Sequence, residues 1–164
     1  MKNKILISTL IFLAFMIAAC NTEKKPAETT QQNESVFPKG EKLNSENFTG
    51  TVWLQMMGTN DTTLHARFGN VTFAPKARTN WHSHPGGQIL FITEGRGYYQ
   101  AKGHSAQPLK KGDVFEIPRN VVHWHGAAPD SEFAHIAVSL NTDEGGAVWI
   151  GPVTDEEYNN IRPR

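Results

Sequence analysis

Six side chains able to hold a metal ion or move a proton fall in two short clusters and one outlier. The first cluster is Trp81-His82-Ser83-His84-Pro85-Gly86-Gly87-Gln88 and the second is His123-Trp124-His125, with His135 twelve residues beyond His123. Alternate side chains of a strand point to one face, so His82 projects with His84, and His123 with His125. Gln88 shares parity with Leu90 and Ile92, which would line the same interior. Trp81, Ser83 and Trp124 must then face outward. Neutral imidazole is the commonest side-chain metal ligand, and the harder amide oxygen of Gln88 suits ions such as Mn(II) or Fe(II). Three imidazoles and one amide leave two octahedral positions for water or substrate. Burying such groups unpaired would be costly, which favours a metal centre over a set of packing histidines.

The charge of that donor set has a chemical consequence. With no carboxylate among them, His82, His84, Gln88 and His123 would leave a divalent ion its full +2 charge. That field favours an anionic ligand and lowers the pKa of a bound hydroxyl. His125 or His135 then serves as a base, since imidazole titrates near neutral pH; packing histidines are the other reading of this pair. His65 and His104 sit beside polar turns and read as solvated. Arg78 and Arg119 flank the clusters and read as exposed, near enough to a pocket mouth to meet a carboxylate.

Positioning these groups falls to short strands. Runs of period two occur at about 51–57, 64–74, 88–93, 97–101, 113–117, 121–126, 133–140 and 146–150. Turn signals separate them, at Gly86-Gly87, 94–97, 110–113, 118–120 and 128–130. Many short strands at regular spacing predict an all-β barrel or sandwich over 51–153. Phe73, Phe91, Phe115 and Phe133 are expected in its core, and only one of Tyr98 and Tyr99 can look inward. Thr154-Asp155-Glu156-Glu157 predicts a capping box that opens a short C-terminal helix within the tail 154–164.

The ends of the chain bound its setting. Residues 1–19 combine Lys2 and Lys4 with an apolar run too short to span a membrane as a helix, and Ile17-Ala18-Ala19-Cys20 resembles a bacterial lipobox. Cleavage before Cys20, lipidation of that thiol and export to the cell envelope are the expectation, an uncleaved membrane anchor being the other reading. Cys20 is the sole cysteine of the 164 residues, so disulfides and thiolate zinc sites drop out. Residues 20–50 are expected to form a flexible tether and lead-in, the stretch 21–35 being too polar to fold. Loss of Lys2 and Lys4 leaves 14 basic against 16 acidic side chains. With no basic run, nucleic acid is excluded as a partner, and the membrane is met only through the lipid.

The two clusters carry a family resemblance. His82-x-His84-x3-Gln88, followed by Gly95 or Gly97, resembles the first cupin motif, and Gly112-x5-Pro118-x4-His123 resembles the second. Glutamine stands for the motif's glutamate, and Asn120 for its turn glycine. The resemblance implies a cupin jelly-roll β-barrel. The runs WHSHPGGQ and HWHGA, together with His135, are similar to the manganese-dependent cupin hydroxynitrile lyases of the (R)-mandelonitrile lyase-like kind. That resemblance implies metal ligands at His82, His84, Gln88 and His123, pocket histidines at His125 and His135, and Mn2+ ahead of Fe2+, Ni2+ or Zn2+. It further implies a small hydroxy or carbonyl substrate and a homodimer. A dioxygenase, a uronate-processing enzyme and a tethered non-catalytic ligand-binding cupin are the competing expectations.

Overall fold

The computed structural model describes residues 35–58 and 63–161. The leader, Cys20 and the tether as far as residue 34 lie outside the described residues. Among the described residues no helix is long and apolar enough to cross a membrane. The fold is all-β with one short helix. In chain order the strands are β1 (Glu41–Lys42), β2 (Phe48–Thr49), β3 (Val52–Met57), β4 (Arg67–Phe73), β5 (Arg78–Thr79), β6 (Trp81–Ser83) and β7 (Gln88–Ala101). They continue with β8 (Gln107–Lys110), β9 (Val114–Ile117), β10 (His123–Ala127), β11 (Phe133–Ser139) and β12 (Val148–Gly151), before helix α1 (Asp155–Asn159).

Pairing is antiparallel throughout and curls the sheet into a half-barrel in the order β1-β3-β4-β11-β7-β10-β5-β2, with β6 bonded to β10 and β12 to β6. The core follows from the alternation of side chains. Val52, Phe73, Leu90, Ile92, Tyr99, Ile117 and Phe133 point into the curl and are buried together. Each such burial removes apolar surface from water at about 25 cal/mol per Å². Phe91 has the opposite parity to Leu90 and Ile92, and it is 41% exposed beside Val114 on the outer wall. The expectation that Phe91 joins the core is therefore corrected by the two-residue period itself.

The expected break at 94–97 is also corrected. β7 runs unbroken for 14 residues, bonding β11 and β9 through its first part and β10 and β8 through its second. Its crease lies at the glycines. A Cβ on Gly95 (φ 67°) would sit 1.7 Å from the Glu132 carbonyl oxygen, and one on Gly97 would lie 2.4 Å from that of Gly126. Glycine here lets one strand pass from one side of the curl to the other.

The ordered chain also starts earlier than position 51. β1 and β2, within the segment expected as tether and lead-in, bond β3 and β5. The C-terminal helix begins with the expected capping box: Thr154 Oγ1 accepts from the Glu157 backbone N–H at 3.1 Å, and the Thr154 N–H donates to Glu157 Oε2 at 2.8 Å. Asn120, standing where a glycine would suit the turn, has φ 61°.

Candidate metal centre

The two histidine clusters meet because β10 and β6 pair directly, with His123 opposite His82. Their ring centroids are 4.2 Å apart, and the His84 ring lies 5.1 Å from His82 and 5.8 Å from His123. Outward-facing Trp81 and Trp124 on the same strands pack with Val153 and Tyr158, so the wall behind the histidines is a second buried cluster rather than a wet surface. Gln88 sits at the start of β7, buried, where the strand faces β9 and β11. The site thus draws on β6, the residue just after it, β7 and β10.

Hydrogen bonds orient the rings. His82 Nδ1 lies 2.9 Å from the Asn80 carbonyl oxygen and His123 Nδ1 lies 2.8 Å from that of Val121. A proton on each Nδ1 satisfies these contacts and leaves each Nε2 with a free lone pair. His84 Nε2, Gln88 Oε1, His123 Nε2 and His125 Nε2 are buried with no hydrogen-bond partner among the described residues. Buried polar atoms are rarely left so. A metal ion would satisfy such atoms, and the donor set of imidazoles with one amide oxygen fits a divalent ion.

One feature differs in detail from the expected ligand set. Ligand atoms of His82, His123 and His125 all lie within 4.8 Å of one another. His125, expected as a base, stands as near to the other two as a ligand would, while His84 flanks that trio. His125 is held by its backbone N–H, which donates to Thr79 Oγ1 at 3.2 Å. Its Nδ1 lies 3.3 Å from His135 Nε2. With the proton on His125 Nδ1 donated to His135, His125 Nε2 is a pure acceptor facing the centre.

Burial governs the charge of all five imidazoles. Loss of solvent lowers His84 and His123 to about 4 and His135 to about 3. His82 and His125 are held well below the usual range, by burial first and then by neighbouring histidines. Every ring is therefore neutral at neutral pH, the state that donates to a metal.

Over these groups lies a cavity of about 120 Å³. Its apolar lining is Leu43, Phe48, Leu54, Val71, Ala137 and Trp149, and its polar lining is Thr79, His82, His84, Gln88 and His125. The Trp149 ring rests 4.7 Å from that of His82 at 31°. A larger cleft of about 470 Å³ runs along Gly103–Pro108, but His104 is the one imidazole on it. Sequence reasoning missed Leu43, Phe48 and Trp149, which carry no chemistry that a motif could flag.

The flanking residues divide. His65 and His104 are exposed, as expected. Arg119 is half exposed and pairs with Glu144. Arg78 corrects its expectation: it is 3% exposed, and its guanidinium donates to the Val153 carbonyl at 2.8 and 3.1 Å and to Asp155 Oδ1 at 2.7 Å. It secures the C-terminal segment instead of meeting a ligand.

A family model for the cupin domain matches residues 69–139. An (R)-mandelonitrile lyase from Granulicella tundricola is 39% identical over 111 residues, covering 68% of this chain and 85% of that protein. The crystal structure of a cupin-like protein from Thermotoga maritima aligns at 53% identity and a TM-score of 0.75, covering 77% of this chain and 96% of that one. A predicted oxalate decarboxylase from the same organism shares the fold at 21% identity and a TM-score of 0.56, covering 71% and 96%.

Proposed function

This chain belongs to the cupin family, and on that premise we propose that it is a divalent-metal-dependent enzyme acting on a small hydroxy or carbonyl compound, with hydroxynitrile cleavage as its reaction. The observation that carries the reading is the set of buried, unpartnered donors at His84, Gln88, His123 and His125, three of which line a largely apolar cavity. The similarity to a mandelonitrile lyase supports the choice of reaction.

In this reading His82, His84, Gln88 and His123 hold the ion, and Mn2+ is favoured because an amide oxygen joins the imidazoles. When bound, such an ion polarises a coordinated hydroxyl and lowers its pKa. His125 Nε2 takes the hydroxyl proton. The C–C bond to the nitrile breaks, its electron pair leaves with cyanide, a carbonyl forms, and the proton follows to give hydrogen cyanide. His135 orients His125 through the Nδ1 contact. The apolar wall keeps water from competing for that proton.

We also propose export and lipid attachment at Cys20, and a homodimer of barrels, as the setting of this activity. The leader sequence supports the first, and the exposed Phe91 and Val114 on the outer wall suit the second. The deciding assay incubates manganese-loaded protein with mandelonitrile and follows benzaldehyde. Release well above the buffer rate is expected, and release at the buffer rate removes the lyase reading. Turnover that requires O₂, or that occurs only with unsaturated uronates, transfers the site to the competing classes.

A further inference from the structure

We infer that the N-terminal arm, Glu41–Thr49, is a specificity element of the metal site, selecting substrates whose non-coordinating half is a single uncharged apolar group about the size of one aromatic ring. The inference rests on the metal-centre reading but not on which reaction occurs there.

Three observations carry it. The arm supplies Leu43 and Phe48 to the lining of the cavity that His82, His84 and His125 also line. Phe48 meets Trp149 edge-on at 5.6 Å, and Trp149 lies along His82, so arm, wall and donor ring are in continuous contact. The arm is also fastened. The Leu43 N–H donates to the Val52 carbonyl at 2.8 Å and the Asn80 N–H to that of Asn47 at 2.8 Å, while the Asn80 amide donates to the Glu46 carbonyl at 2.9 Å. Asn80 is the residue whose own carbonyl orients His82. The ring of Phe48 therefore stands at a fixed place relative to the donors.

Chemistry and size then choose the ligand. Among the described residues the cavity lining contains no Lys, Arg, Asp or Glu. A second carboxylate or a row of sugar hydroxyls would lose its water against the Leu43, Phe48, Leu54, Val71, Ala137 and Trp149 side of the lining, which offers no polar side chain. The volume of about 120 Å³ is close to the roughly 150 Å³ of an apolar cavity that accepts benzene. Leu43, Phe48 and Trp149 all lie outside the matched span 69–139, so the parts of the chain that flank the matched domain supply the aromatic side chains of the wall.

Probes of matched carboxylate chemistry test this. Calorimetry on the metal-loaded full chain compares acetate, benzoate and galacturonate, each free to take the open coordination positions. Benzoate is expected to bind at least about tenfold more tightly than acetate, and galacturonate no better than acetate. Phe48→Ala should bring the benzoate-to-acetate ratio near one. Leu43→Phe, which adds bulk rather than removing packing, should weaken benzoate and spare acetate. An unchanged ratio in both variants, or equal affinities in the native chain, overturns the role of the arm. Failure of all three carboxylates to bind the loaded protein overturns the metal-centre reading and this inference with it.

Discussion

His125 and His135 form a buried imidazole pair, Nδ1 to Nε2 at 3.3 Å, with their ring planes at 79°. Both are walled by Phe73, whose ring centroid lies 5.8 Å from one and 5.6 Å from the other. With the proton on His125 Nδ1, the pair leaves His125 Nε2 as an acceptor without another partner among the described residues. Replacing His135 with Leu removes that orientation with only a small change of volume. The expected result is a fall in kcat for cyanohydrin cleavage with little change in metal content, read by steady-state kinetics beside mass spectrometry. His125→Ala should cost more, roughly 10²–10⁴-fold, as loss of a general base does.

Donor removal separates ligands from neighbours. His123→Ala leaves His82 without its opposite ring, and the purified protein is expected to lose most of its bound metal. His104→Ala, at an exposed turn, should leave metal content unchanged. Metal-to-protein ratios after dialysis decide the matter; equal ratios in the two variants would remove His123 from the ligand set.

Gln88→Glu tests the charge argument. A carboxylate in place of the amide lowers the net charge of the loaded site from +2 to +1. Metal affinity should rise, while the pKa of a bound hydroxyl should move up. The expected signature is tighter metal retention together with an alkaline shift of the kcat profile.

Acid should undo the metal-free domain in a defined window. The folded-state values of His84, His123 and His135 lie at about 4, 4 and 3, against about 6.5 when unfolded. Between those limits the unfolded chain binds more protons, so stability falls as pH drops and is flat above about 6.5. Chemical denaturation of the metal-free protein at a series of pH values should show its midpoint declining from about pH 6.5 toward 4. A bound metal competes with those protons, so loading should push the decline to lower pH. A midpoint unchanged across that range would mean that the rings are not buried and neutral.

Arg78→Met removes the donors that hold the Val153 carbonyl and Asp155. Leaving that carbonyl without its partner is expected to cost about 1–3 kcal/mol. The resulting drop in Tm should appear by calorimetry, with metal content retained, because Arg78 faces away from the cavity toward α1.

Much of this was legible in the residues, for identifiable reasons. The alternation around His123-Trp124-His125 requires imidazoles on one face and an indole on the other, and the structure has both. The capping box at Thr154 is a local device that needs no tertiary information. Less local features were hidden. The crease at Gly95 reads as a turn because the same glycine chemistry serves both, and only pairing to β11 and β10 distinguishes them. Arg78 reads as exposed because a long cation usually is, and its partners lie more than seventy residues away. Phe48 and Trp149 look like ordinary apolar residues until the curl brings them over the histidines.

The ribbon carrying His123, Trp124 and His125 serves two interiors at once, ligand chemistry on one side and the packing of Trp81, Val153 and Tyr158 on the other. Slipping it by a single residue would exchange indole for imidazole across the wall. Such a slip would abolish the donor set and put unpaired ring nitrogens among apolar side chains. Correct alignment of this one strand is therefore demanded twice over, and a chain that has docked its C-terminal tail has already chosen which way its histidines look.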